Sequence, residues 1–98
     1  MQLYIRSDAV VSRVIAGETL IVPVRKGVGD LASIYSLNAV ASSIWQTIAR
    51  PRSKSEIVQI IEQNFEGDRQ HVERDVEVFL AEMSAAGLIS TIGAAAHS

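Results

Sequence analysis

A chain of 98 residues, 48% hydrophobic and 20% charged, carries enough apolar side chains for one buried core and is too short to enclose a large catalytic cavity. With no cysteine, a disulfide framework, a thiolate metal site and a cysteine nucleophile are excluded, and a net charge of −2 removes the attraction on which non-specific nucleic-acid binding rests. Apolar runs of only a few residues and an N-terminus, MQLYIRSD, without the basic-then-apolar layout of a signal peptide make the cytoplasm the default compartment and membrane insertion unexpected.

Residues 8–37 read as a three-stranded meander, because short β-branched runs alternate with glycine-bearing turns. The strands are expected at 10–16, 19–24 and 31–37. Gly17 with Glu18 makes the first turn, and Pro23, which cannot donate to a ladder, marks the end of the second strand. RKGVGD at 25–30 is a longer connection. Apolar residues fall on both faces of these strands, so helices are expected over one face and partial cover over the other. The third strand contains neither charge nor proline between Leu31 and Leu37, which leaves its edge unprotected against pairing with another chain.

The hydrophobic period changes at Asn38. Beyond it Val40, Ala41, Ile44, Trp45, Ile48 and Ala49 recur at the spacing of one helix face, and Asn38 is placed to cap that helix, expected to run to Arg50. Trp45, the only tryptophan, is expected to fill the space between sheet and helix, where truncation to alanine costs about 3–5 kcal/mol. Pro51 breaks the pattern, and Ser53-Lys54-Ser55-Glu56 forms a capping box opening a second helix with Ile57, Ile60, Ile61 and Phe65 inward and Gly67 as its stop. A third helix starts at 68–70 and runs to Ala86, with Val72, Val76, Phe79, Leu80 and Met83 on one stripe and Gly87 as its stop. Its other face, Glu73, Asp75, Glu77 and Glu82, has only Arg69 and Arg74 as local compensation and is expected to stay wet. Leu88 and Ile89 fold back onto the core. The fold class is therefore α+β: an N-terminal three-stranded antiparallel sheet followed by three helices, winged-helix-like in its helical part, in one domain over 1–92 with a flexible tail at 93–98.

The chain offers little for catalysis. Glu56, Glu62, Glu66, Asp68, Glu73 and Asp75 fall on polar helix faces, and Ser42, Ser43, Ser53 and Ser55 lack a histidine base or nucleophile-elbow pattern. Gly27-Val28-Gly29 lacks the lysine and hydroxyl of a phosphate cradle, and His71 and His97 stand in no metal-binding spacing. No cofactor or metal is expected. Arg25 with Lys26, and Arg50, Arg52 and Lys54, read as solvated turns or as local contacts to an anion or acidic partner. For direct DNA reading the third helix presents glutamates and the second is only weakly basic, through Lys54, Gln59 and Gln63. What remains is protein binding through the open strand edge, to a peptide or to a second copy in a homodimer, unless the chain's own termini cover that edge, with a winged-helix DNA-associated or regulatory role as the alternative.

Leu20-Ile21-Val22-Pro23, Leu37-Asn38 with Ala41, Ile44 and Trp45, Glu56-Ile57, Val72, Asp75-Val76, Phe79-Leu80 and Gly87-Leu88-Ile89, in this order and spacing, resemble the PqqD family over roughly residues 10–89. Arg50-Pro51-Arg52 departs from the family, which commonly has a glycine in that connection. The resemblance implies a non-catalytic recognition element. It would bind the leader of a ribosomally made precursor peptide and present it to a radical S-adenosylmethionine enzyme, in pyrroloquinoline quinone or related modified-peptide biosynthesis. It further implies that the leader lies as an added strand on the third strand, in a groove walled by the third helix. Carried onto this chain, the peptide-binding residues would be Leu31, Ser33, Ile34, Tyr35, Leu37, Val72, Asp75, Val76, Phe79 and Met83.

Overall fold

A computed structural model describes residues 2–24 and 34–93. In chain order the elements are β1 (Gln2–Arg6), β2 (Val10–Ile15), β3 (Glu18–Pro23), β4 (Tyr35–Leu37), α1 (Ala39–Thr47), β5 (Arg52–Ser53), α2 (Lys54–Asn64), α3 (Arg69–Ala85) and β6 (Ile89–Gly93). The expected α+β meander of antiparallel strands is present in the order β2-β3-β4, followed by three helices. A second antiparallel sheet, β5-β1-β6, was not foreseen. Its central strand pairs the two ends of the chain, from Gln2↔Gly93 to Arg6↔Ile89, and a pairing so distant leaves no local signature. Leu88 and Ile89 do fold back, buried, at the start of β6. Residues 25–33 and 94–98, and with them the 25–30 connection, the first three residues of the expected third strand and His97, lie outside the described residues. Among the described residues no helix is long and apolar enough to cross a membrane.

The β2–β3 register, Ile15↔Glu18, leaves a two-residue loop of Ala16 and Gly17, one position earlier than expected. Both have positive φ, 53° and 83°. That is the pattern of the primed hairpin turns, whose twist matches the flanking strands. Pro23 ends β3, and the Val24 N–H donates to Ala9 O at 2.9 Å just beyond it. Toward the helices the sheet buries Thr19, Ile21 and Leu37, whereas Val11 and Val22, opposed in register on the other face, are exposed. The partial cover expected for that face is absent among the described residues.

Asn38 caps α1 with its side-chain Oδ1, which accepts from the Ala41 N–H at 2.9 Å. The helix ends at Thr47, three residues short of Arg50, with Ile48 as its C-cap. Trp45 is fully enclosed, and the Arg6 guanidinium lies 5.5 Å from its ring centroid. Beneath them the buried hydroxyls of Thr19 and Ser42 bond to each other, tying β3 to α1. The capping box of α2 is complete: Glu56 N–H donates to Ser53 Oγ at 3.2 Å, and Ser53 N–H to Glu56 Oε1 at 2.9 Å. The inward face of α2 is Ile57, Val58 and Ile61, with Ile60 only partly buried. Phe65 closes the helix, so Gly67 serves the α2–α3 connection rather than the cap. Asp68 caps α3, and Gly87 ends it in a Schellman arrangement, with Leu88 N–H to Met83 O at 2.9 Å and Gly87 N–H to Ser84 O at 3.0 Å.

The acidic face of α3 is better compensated than its own helix suggests. Lys54 of α2 bonds Glu77, and Arg69 pairs with Glu73 at 3.1 Å as well as with Glu62 at 3.6 Å. Helical spacing within one element cannot register a cation supplied by its neighbour.

Two expectations follow. An L-residue at Ala16 is in a conformation that asparagine tolerates better, so Ala16→Asn should raise stability by about 0.5–1 kcal/mol in urea denaturation. The Glu56 carboxyl is held below its ordinary 4.5, chiefly by the Ser53 N–H, and that of Asp68 below 3.8, chiefly by the His71 N–H. Because the unfolded chain binds more protons in this range, their stabilisation is present above those values and lost as pH falls through the lower folded ones. The urea midpoint should decline between about pH 5 and 3, less steeply in a Glu56→Gln, Asp68→Asn double variant.

Candidate functional site

β4 pairs with β3 through Thr19↔Leu37, Leu20↔Ser36 and Ile21↔Tyr35. It is the last strand in the order β2-β3-β4. Tyr35 and Leu37 lie on the same face as Ile21 and Thr19, so alternation turns the side chains of β4 toward the core at both ends of the strand.

Asn38, which follows β4 directly, opens a cleft of about 350 Å³. Val40 and Ala41 line it from the first turn of α1, and Arg74, Asp75, Val78, Phe79 and Glu82 from α3. Val78 is 49% exposed although apolar, and Phe79, 9% exposed, joins the cleft to the core. Arg74, Asp75 and Glu82 form a charged rim with one net negative charge. An apolar floor next to the terminal strand of a sheet is the kind of surface on which strand addition seats an extended peptide, backbone on the strand and alternate side chains in the cleft. A roomier cleft of about 390 Å³, lined by Ser55, Gln59, Glu62, Gln63 and Arg69, has no apolar floor. Among the described residues no group of three His, Cys, Asp or Glu is placed to hold a metal ion.

The family model for coenzyme PQQ synthesis protein D (PqqD) matches residues 18–89. The chain belongs to the PqqD family. Among solved structures it is similar to TbiB1, captured in complex with the TbiA(beta) leader peptide, at 33% identity and a TM-score of 0.75, covering 93% of this chain and 98% of that one. It is also similar to a lasso peptide synthetase B1 complexed with its leader peptide, at 17% identity and a TM-score of 0.71, covering 89% and 96%, a likeness of fold alone. No curated protein sequence matches it.

Set on this PqqD-family fold, the residues named from the sequence divide three ways. Leu31 and Ser33 lie outside the described residues. Ile34, 65% exposed, precedes β4, whose Tyr35 is partly buried and whose Leu37 is in the core. Of the α3 set, Asp75 and Phe79 line the cleft, Val72 and Val76 are buried in the core, and Met83 packs against the core without reaching the cleft. Val40, Ala41, Arg74 and Val78 were not singled out for the site. The signal for the α3 wall was present: Asp75, Val78, Phe79 and Glu82 fall at i, i+3, i+4 and i+7, a second stripe beside the core stripe.

The two stripes should separate in stability measurements. Val78→Ser is expected to change unfolding free energy by less than about 0.5 kcal/mol, whereas Leu80→Ala should cost about 3 kcal/mol in the same urea titration.

Proposed function

We propose that this protein binds the leader segment of a ribosomally made precursor peptide as an added strand on β4, with leader side chains seated in the cleft between α1 and α3. The observation that carries this reading is the coincidence of an uncharged strand at the end of its sheet order with an apolar-floored cleft that opens at the residue after it. It occurs in a PqqD-family chain that is 33% identical to TbiB1, whose structure holds a leader peptide. Main-chain bonds to β4 supply affinity without regard to sequence. Specificity comes from alternate leader side chains, spaced about 6.6 Å apart, meeting Ala41, Val78 and Phe79. Ordering a free peptide costs about 2–5 kcal/mol of the gross interaction, so affinity on the order of micromolar is expected. The protein is a carrier, not a catalyst. In keeping with its family, it presents the bound leader to a radical S-adenosylmethionine enzyme, in pyrroloquinoline quinone or related modified-peptide biosynthesis.

Calorimetric titration of the cognate leader, with amide chemical shifts followed in parallel, tests this. Shifts should concentrate at Tyr35–Leu37, Ala41, Val78 and Phe79, and Val78→Glu should weaken binding by about tenfold while the melt stays cooperative. Unchanged affinity in Val78→Glu, with no perturbation along β4, overturns the site. A leader rich in lysine or arginine should bind more weakly at high salt, because Asp75 and Glu82 outnumber Arg74 at the rim. Adding the protein should also raise turnover of the precursor by its radical S-adenosylmethionine enzyme. Leader binding without such a gain assigns presentation to another enzyme class.

A further inference from the structure

On the opposite flank of α1 from the leader cleft, a second cleft of about 310 Å³ runs between the later half of α1, the α1–β5 connection and α2. It shares no lining residue with the leader cleft. Arg50 and Arg52 both line it, with the amide side chains of Gln46 and Asn64 and an apolar wall that includes Ile60. Among the described residues no carboxylate lines it. These arginines belong to the basic cluster that the sequence singles out, and the structure separates its members. Lys54 is neutralised by Glu77 and does not line the cleft. Arg52 meets Glu56 at 3.8 Å, while Glu56 receives the Ser53 N–H on its other oxygen, and Arg52 Nε is shielded from solvent without an acceptor among the described residues. Arg50 is exposed and has no acidic partner among the described residues.

We propose that this cleft is a second binding site, taking a carboxylate presented by an acidic segment of a protein partner. A guanidinium offers donors in a planar fork that matches a carboxylate, and two forks with unmet capacity in one cleft attract such a group although the chain as a whole is acidic. The volume holds a side chain with its flanking backbone rather than a bare ion. Ile60 offers a surface for the methylenes of a glutamate, and Gln46 and Asn64 suit a peptide backbone. A protein with both sites holds its leader by a strand edge and a second polypeptide by its charge, on separate faces.

The probe is a blocked tetraglutamate peptide, followed by backbone shifts and by the arginine Nε–H resonances. Saturable shifts at Gln46, Arg50, Ile60 and Arg52 Nε–H are expected, absent with tetraglutamine. Arg50→Glu, an exposed substitution, should weaken the interaction by about tenfold or more and leave leader affinity at the wild-type value, so failure here and failure of the leader reading are separable. Arg52→Lys keeps the charge and removes the fork, and should weaken tetraglutamate binding several-fold with an unchanged melt. No shift at the cleft overturns the proposal. So does inorganic phosphate producing the same shifts at equal or lower concentration, which would make the cleft a site for small oxyanions.

Discussion

One hydrogen bond sets the geometry on which the leader site depends: the Ala41 N–H to Asn38 Oδ1. It stops β4 and starts α1 at the same residue, so the last exposed backbone of the strand and the first turn of the helix meet at a fixed corner. Trp45, one turn further on, holds the corner in place from inside, with Ile21 of the sheet and Ile57 of α2 enclosed in the same core. The Thr19–Ser42 hydroxyl contact adds a directional constraint that apolar packing lacks, since a buried hydroxyl left without its partner is costly. β4 and the floor of the cleft are therefore presented in one rigid frame. A peptide arriving there orders itself and requires little of the protein.

α3 supplies the opposite wall, and its fixity has visible causes. Asp68 caps the first turn, the Schellman bonds close the last, and Lys54 and Arg69 tie its outer face to α2 and its own first turns. Between these ends the helix carries two adjacent stripes. Val72, Val76 and Leu80 bury it against the core, and Asp75, Val78 and Glu82 face outward along the cleft, with Phe79 common to both. Sharing Phe79 means that the cleft floor is part of the core itself. The floor cannot shift without disturbing the packing beneath it, because close-packed interiors respond to small displacements.

How much of this was legible follows from where each signal resides. The helices were readable because their caps are local: Asn38, the Ser53–Glu56 box, Asp68 and Gly87 each act within a few residues of the end they define. The β5-β1-β6 sheet was not, since Leu3 finds Ile92 only after the whole chain has folded, and neither segment alternates strongly enough to announce a strand. The hairpin loop was misplaced by one residue because Ala16, with φ of 53°, does what a sequence reader assigns to glycine. On α3 the core stripe is plain, whereas the cleft stripe is split by the sequence between the wet face, which takes Asp75 and Glu82, and the core stripe, which takes Phe79. Val78 was the discordant residue there, an apolar side chain where charge was expected, and such an exception is more informative than the periodicity it breaks.

A bare edge alone does not select the leader site, because β6, Ile89–Gly93, is also an end strand without charge or proline. The surroundings of the two edges differ. The cleft near β6 is lined by Gln2 and Tyr4 of the central strand β1, by Thr91, and by Glu77, Leu80, Ala81 and Ser84 of α3. It therefore lies over the face of that sheet, where a strand added to β6 would pass it by. At β4 the cleft begins with the residue that ends the strand, so backbone pairing and side-chain seating are available to the same peptide at once. Strand addition draws affinity from the first and discrimination from the second, and it is at β4 rather than β6 that an apolar-floored cleft continues the line of the strand.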